Sequence, residues 1–398
     1  MPSKGLIYSC GNPSACYVVS IEAPISITGL GALSALGECV ESHYWAVGAR
    51  ENPFRPLGDL LGSGSPHARM PGGWIENRKM LTHRKWSPVT MAALHAARQA
   101  VVEAGWGDEE LCDAALVLGT SRGNAAGWLG PWPGRRGFPL MAASNTIHSE
   151  PATAISIEFG ITGPNHVLAS GCSAGLDALG IALMLIRSGQ VQRALAVAVD
   201  LPLVPILLDN YRASGLLSAS FEPDPYHPGS TGFVPAEGAA AMAIELGGFP
   251  VPRLGGYACN ADAVDPVGIP ADGGGTTRLV QRFMEGSRVI SAICPHATGT
   301  AVQAAADPAW MRRVFADALP TLHLLKPFTG HTIGASGLLE SVILTRFLQG
   351  RRLPPNREGL HVPEGFSMPE QVTVAEGSVL KLSHGMGGHN AVISINPP

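Results

Sequence analysis

Charge is scarce in this chain of 398 residues: Asp, Glu, Lys and Arg make up only 15% of it, and the formal net charge is -4. Without a basic surface there is nothing to displace the counterions of a polyanion, so no nucleic-acid partner is expected. Long hydrophobic runs are missing as well. No stretch reaches the roughly 18 uncharged apolar residues of a spanning helix, and no charged-then-apolar leader opens the chain, so a cytoplasmic protein with no membrane span is expected. Cysteine pairs are also lacking. The seven cysteines, Cys10, Cys16, Cys39, Cys112, Cys172, Cys259 and Cys294, are odd in number and never spaced as CxxC. That argues against a disulfide framework or a zinc site and fits a reducing compartment. Low-complexity tracts are absent too, because glycine and proline lie scattered between apolar runs.

What is present, at 45% hydrophobic residues, is ample material for a large core. Short β-rich runs ("PISITGLG" from 24, "CDAALVLGT" from 112, "HVLAS" from 166, "ALAVAVD" from 194, "VISAIC" from 289, "AVISIN" from 391) alternate with segments of helical period at 87–104, 173–188, 308–318 and 333–349. Strands separated by helices need crossover connections, which predicts an α/β architecture with mostly parallel strands covered on both faces. A composition change near residue 250 places a seam between halves at 24–248 and 249–398, after an unassigned extension over 1–23. Gly- and Pro-rich stretches at 53–80 and 122–165 are expected to be insertions that cap a pocket.

In "LASGCSAGLDALGIALMLIRSG" (168–189) an apolar run, a small-residue turn and a helix follow one another. Cys172 then sits at a helix N-terminus, where unpaired N–H groups and the helix dipole favour a thiolate. A buried structural cysteine fits this stretch equally well. Three further loops carry candidate chemistry: "CPHATGT" (294–300), "KPFTGHTIGASG" (326–337) and "LSHGMGGHNA" (382–391). The first two follow apolar runs, as Cys172 does, and ligand sites in parallel sheets form beyond the carboxyl ends of strands.

Taken in order, these motifs resemble the β-ketoacyl-acyl carrier protein synthases of the elongating type, members of the thiolase-fold condensing enzymes. "ITGLGALSALG" (27–37), "SGCSAG" (170–175), "GFVPAEGAA" (232–240), "PADGGG" (270–275), "PHATGT" (295–300), "KPFTGHTIGASGLLE" (326–340) and "GMGGHNA" (385–391) span most of the chain. The resemblance implies two similar αβαβα-layered halves and decarboxylative condensation of a Cys-bound acyl group with malonyl-acyl carrier protein, in fatty-acid or specialised polyketide synthesis. It implies roles too: Cys172 as nucleophile, His296 and His331 as the decarboxylating pair, Lys326 and Glu340 as their support. The backbone N–H groups of Cys172 and Met386 would form the oxyanion hole, and Thr298 and Thr300 would bind pantetheine. Acyl carrier protein is the implied partner and no cofactor is needed. Assembly as a homodimer, or as a heterodimer with a chain-length-factor-like subunit, follows from the same resemblance.

The physical logic stands beside the likeness. A thiolate that takes the acyl group as a thioester splits one hard step into two, and neutral imidazoles can donate to the oxyanion formed as carbon dioxide leaves. Several positions depart from the family pattern. Cys294-Pro295 and Ala297 flank the first histidine, Ala304 and Asp307 replace an Asp and a Glu, Tyr226-His227 replaces Phe-Asp, and Ser230-Thr231 replaces Arg-Asp. In the gating loop His384, Met386 and His389 stand for two aromatics and a threonine. A methionine gate would admit bulkier acyl chains, being flexible, unless the position merely tolerates any large apolar side chain. His384 and His389 are too few for zinc, and "GLGALS" (29–34) lacks the third glycine of a dinucleotide fingerprint. Retention of Cys172 weighs against a non-catalytic chain-length-factor-like subunit. Acyl transfer or thioester hydrolysis without decarboxylation is the alternative that the histidines and Lys326 disfavour.

Overall fold

The computed structural model describes residues 23–129, 142–284, 289–316 and 318–398. The expected extension, with Cys10 and Cys16, therefore lies outside the described residues apart from Ala23, as does the middle of the 122–165 insertion. Ten strands form one mixed sheet: β1 (Ile25–Ser34), β2 (Ala115–Gly119), β3 (Asn165–Leu168), β4 (Arg193–Asp200), β5 (Gly238–Leu246), β6 (Arg253–Ala261), β7 (Ile290–Cys294), β8 (Thr321–Leu322), β9 (Ser378–Gly385) and β10 (His389–Asn396). Their order is β8-β7-β9-β10-β6-β1-β5-β4-β2-β3. Strand n of the first five occupies the place of strand n+5 in the second five, so one topology occurs twice. The two copies are joined where β1 meets β6 antiparallel over Ile25↔Leu254 and Ser26↔Arg253.

Within each copy two pairings are parallel and two antiparallel. The expectation of mostly parallel strands thus holds around β2 and β7 and fails toward the centre. There β5 and β10 run against both neighbours, and β5 and β6 are strands beyond those the sequence pattern predicts. The reason lies in the sequence of β5, "GAAAMAIEL", which is too small-residued to announce itself.

Helices complete five layers: α1 (Pro88–Ala104) and α2 (Glu150–Phe159) outside the first copy, α3 (Ala174–Arg187) and α7 (Ser336–Gln349) between the copies, α5 (Gly274–Phe283) and α6 (Ala301–Phe315) outside the second, with α4 (Pro205–Ala213) over the cavity. The strands alternate between layers. Ala194, Ala196 and Ala198 of β4 face the middle core, while Leu195, Val197 and Val199 face the outer one, which is why a strand buried on both faces reads as an unbroken apolar run. The glycines of "GLGALS" prove to be packing devices. A Cβ on Gly29 would meet the Ala100 carbonyl oxygen at 1.9 Å, and one on Gly31 the Ala96 oxygen at 1.9 Å, so α1 can lie directly on β1 only because they are bare. The predicted helix at 308–318 begins earlier, at Ala301, where the Thr300 side chain accepts the Gln303 N–H and Pro308 is accommodated inside the helix. No helix among the described residues is long and apolar enough to cross a membrane.

Candidate active site

The third strand of each copy leads to a central helix through a short 3-10 turn: Gly171–Ser173 before α3, Ile333–Ala335 before α7. The two turns touch, and a Cβ on Gly175 would lie 2.7 Å from the Gly334 oxygen. Gly171 takes φ +65°, a left-handed conformation that glycine adopts without steric cost. Cys172 follows, 8% exposed, in the wall of a cavity of about 560 Å³. Its Sγ lies 3.2 Å from Nε2 of His331, and the Met386 N–H is directed at it.

The expected lowering of the thiol pKa is not what this setting produces. Burial pushes Cys172 up to about 11, against the opposing pull of Lys326, Arg122 and the Met386 N–H, and Asp200 adds to the rise. Desolvation of the charged form outweighs the helix N-terminus. The resting sulfur is therefore a thiol, placed to pass its proton as it attacks.

His331 is oriented from behind. Its Nδ1 lies 2.9 Å from Oγ of Ser336, and that oxygen accepts the Thr332 N–H at 2.9 Å. With the hydroxyl proton free to donate to Nδ1, the imidazole proton is assigned to Nε2, facing Cys172. The His296 ring meets that of His331 edge to face at 5.4 Å, and Phe233 covers the latter at 4.8 Å. Burial first, then the charge of Lys326, holds both histidines well below the usual imidazole range, so both are neutral hydrogen-bond donors near pH 7.

The support beneath them is larger than the sequence suggested. Glu340 receives Lys326 Nζ on Oε1 and Lys381 Nζ on Oε2, each at 2.7 Å, with all three residues buried. Two ammoniums on one carboxylate leave about one net positive charge under the imidazoles. Burial lowers Lys326, whereas Cys294 and Glu340 more than offset the burial of Lys381 and hold it above its ordinary range. Asp200 ties the two turns together. Its carboxylate accepts the Thr120 hydroxyl and the N–H groups of Ser121, Arg122 and Gly334 at 2.8–2.9 Å, and burial raises it to about 6.

Thr298 and Thr300 line the same cavity, their hydroxyls 3.3 Å apart. The three residues expected to form a gating loop differ in burial. Met386 is half-buried in the β9–β10 turn and His389 is exposed at the start of β10, but His384 belongs to β9 and is buried. It shares the face of β9 that carries Leu380 and Leu382, and it lines the cavity beside His296, with ring centroids 5.4 Å apart. Its Nδ1 donates to Oδ1 of Asn390 at 2.6 Å, an assignment fixed by Asp262, which can only accept from the Asn390 amide. Its Nε2 lies 4.0 Å from Oδ1 of Asp307. Asp307 is itself a hub for Gln303, Trp310, the Ala297 N–H and the Tyr226 hydroxyl, so the departures at 226, 307 and 384 form one connected set. Glu150, within the second glycine- and proline-rich stretch, accepts the Ser87 N–H and hydroxyl at the start of α1 and is structural.

Ser336, Lys381, Asp200 and Arg122 escaped the sequence reading. Lys381 alone carried a visible signal, a single charge inside the apolar strand "VLKLS".

A buried thiol on an elbow, two neutral imidazoles and a buried cationic support make up the layout of an acyl-transferring condensing site. Comparison with known proteins agrees. The β-ketoacyl synthase N-terminal domain matches residues 75–246 and the β-ketoacyl synthase C-terminal domain residues 252–359. The 3-oxoacyl-acyl-carrier-protein synthase 2 of Rhizobium meliloti (strain 1021) is 26% identical over 92% of this chain and 97% of its own length, and its namesake from Staphylococcus aureus is 24% identical over 92% and 99%. Among solved structures, a type II polyketide synthase ketosynthase in complex with its acyl-carrier protein superposes with a TM-score of 0.83 at 23% identity, covering 94% of this chain and 100% of the other. The ishigamide ketosynthase/chain length factor does so with 0.84 at 21% identity, covering 94% and 99%. The chain belongs to the β-ketoacyl synthase family. Its activity is the family's acyltransferase reaction, condensation of an acyl group with malonyl-acyl carrier protein in fatty-acid or polyketide synthesis.

Proposed function

We propose that Cys172 carries the growing acyl group while His296 and His331 drive decarboxylation of an incoming malonyl thioester, and that the pathway is a specialised polyketide one. The observation that carries the reading is the 3.2 Å approach of Cys172 Sγ to Nε2 of His331, with Nδ1 secured by Ser336. In the first half-reaction the Cys172 thiol attacks the carrier thioester and its proton passes to the departing pantetheine sulfur, while the N–H groups of Cys172 and Met386 hold the oxyanion and Nε2–H of His331, 3.2 Å from Sγ, remains a donor. In the second, Nε2–H of His331 and the His296 ring donate to the malonyl thioester oxygen as carbon dioxide leaves, and the resulting carbanion attacks the Cys172 acyl carbon. Lys326 and Lys381 keep the imidazoles neutral, with Glu340 balancing the lysines. Each step is an acyl or proton transfer that these side chains supply, so the reading includes no metal or redox cofactor.

Thr298 and Thr300 would receive the pantetheine arm of an acyl carrier protein partner, and the reaction would run in the cytoplasm. The His384, Asp307 and Tyr226 set, together with Met386, supports a specialised substrate. The half-exposed edge strand β3, unpaired on its outer side among the described residues, supports assembly with a second copy or a chain-length-factor-like subunit.

The test uses His296→Ala and His331→Ala proteins with acyl and malonyl carrier proteins, followed by intact mass and carbon dioxide release. Both variants should still acquire the acyl mass on Cys172, while carbon dioxide release falls by at least 100-fold. Unchanged release in both would refute the assignment and favour simple acyl transfer.

A further inference from the structure

Arg122 stands in the loop just past the end of β2, as His296 stands in the loop just past the end of β7, the corresponding strand of the second copy. It lines the same cavity as Cys172. Its backbone is pinned by the N–H bond to Asp200 at 2.9 Å and its side chain by Tyr211, whose hydroxyl accepts Nε at 3.1 Å and whose ring lies 5.6 Å from the guanidinium carbon. Tyr211 is in turn buried against Cys172, Phe233 and Ile333. The guanidinium thus has a fixed place within electrostatic reach of the sulfur.

Nothing in the site consumes this charge. Among the described residues no carboxylate approaches Arg122 within 4 Å to form an ion pair. Asp200, the nearest acid in the chain of contacts, is already filled by four donors, one of them the Arg122 backbone N–H, and Arg122 reaches it only through that backbone group. A guanidinium has five N–H donors in a rigid fork. Nε is on Tyr211 and the terminal nitrogens have no hydrogen-bond partner among the described residues, so a purely alkyl chain packed against them in the cavity that Arg122 lines would desolvate them without return.

We propose that Arg122 forms an oxygen-recognising subsite of the acyl cavity, selecting acyl groups that bear a carboxylate beyond the thioester over alkyl chains of equal length. A carboxylate matches the fork with two parallel hydrogen bonds, which a keto oxygen does only singly. The subsite rests on the reading of Cys172 as acyl carrier.

The experiment loads wild type, Arg122→Met, Arg122→Lys and Tyr211→Phe from carrier proteins bearing butyryl, 3-ketobutyryl and succinyl groups, and follows the mass added to Cys172. The readout is the ratio of succinyl to butyryl loading rates. Arg122 also draws the thiol pKa down, and that effect slows both acyl groups alike and cancels in the ratio. The ratio should fall at least tenfold in Arg122→Met, with Arg122→Lys and Tyr211→Phe in between and 3-ketobutyryl less affected than succinyl. A ratio within twofold of wild type in Arg122→Met, with butyryl still loading, would overturn the subsite and leave the Cys172 reading intact. Failure of every acyl group to load on wild type would overturn the Cys172 reading, and the subsite with it.

Discussion

At the scale of residues, two forces compete at Cys172, and their sizes decide the outcome. A helix N-terminus contributes on the order of 1 kcal/mol toward an anion, whereas burial of the thiol drives its pKa to about 11. Alkylation rates of Cys172, followed by peptide mass spectrometry, should therefore climb roughly tenfold per pH unit from pH 7 to 9 without levelling off, since the reactive thiolate stays a minor form throughout. A plateau between pH 6 and 8 would mean that the dipole and the nearby cations prevail over burial. That Cys172, both histidines, Lys326 and Glu340 would come together was legible in the sequence because the first four sit in or beside short patterned loops and Glu340 follows one of them in the helix α7. Lys381, Ser336 and Arg122 were not, because their roles arise from residues 41, 5 and 89 positions away, a relation that only folding creates.

At the scale of elements, the close crossings are set where side chains are absent. Gly31→Ala would place a methyl 1.9 Å from the Ala96 carbonyl oxygen, and because both partners are backbone, α1 must lift off β1. A loss of roughly 3 kcal/mol in chemical denaturation is expected. Gly48→Ala is the control: it closes a surface helix, meets nothing within 4 Å, and should be neutral or stabilising by up to about 1 kcal/mol. Equal effects of the two would remove the packing explanation for the Gly29 and Gly31 pair. Element placement was readable for β1, β4, α1 and α3, whose periodicity is strong. It failed for β5 and for the start of α6, where alanine-rich composition carries no period and an internal proline imitates a helix boundary.

At the scale of the molecule, two copies of one topology face each other across α3 and α7, and each contributes one elbow and one strand-end loop to a shared cavity. That duplication explains how a nucleophile on the first copy and two histidines on the second converge, although 124 and 159 residues separate them. If β3 pairs with a second copy, sedimentation should give twice the chain mass of 41.4 kDa, and a monomer at micromolar concentration would contradict that assembly. The central claim, that Cys172 carries an acyl group which a decarboxylated malonyl unit then removes, is tested most directly by one turnover. Wild-type protein already acylated on Cys172 is mixed with malonyl carrier protein, and adduct, carbon dioxide and carrier-bound product are followed together. The account predicts loss of the adduct, release of carbon dioxide and appearance of a β-ketoacyl chain two carbons longer, in equal amounts; loss of the adduct to water or another acceptor with no carbon dioxide released would contradict it.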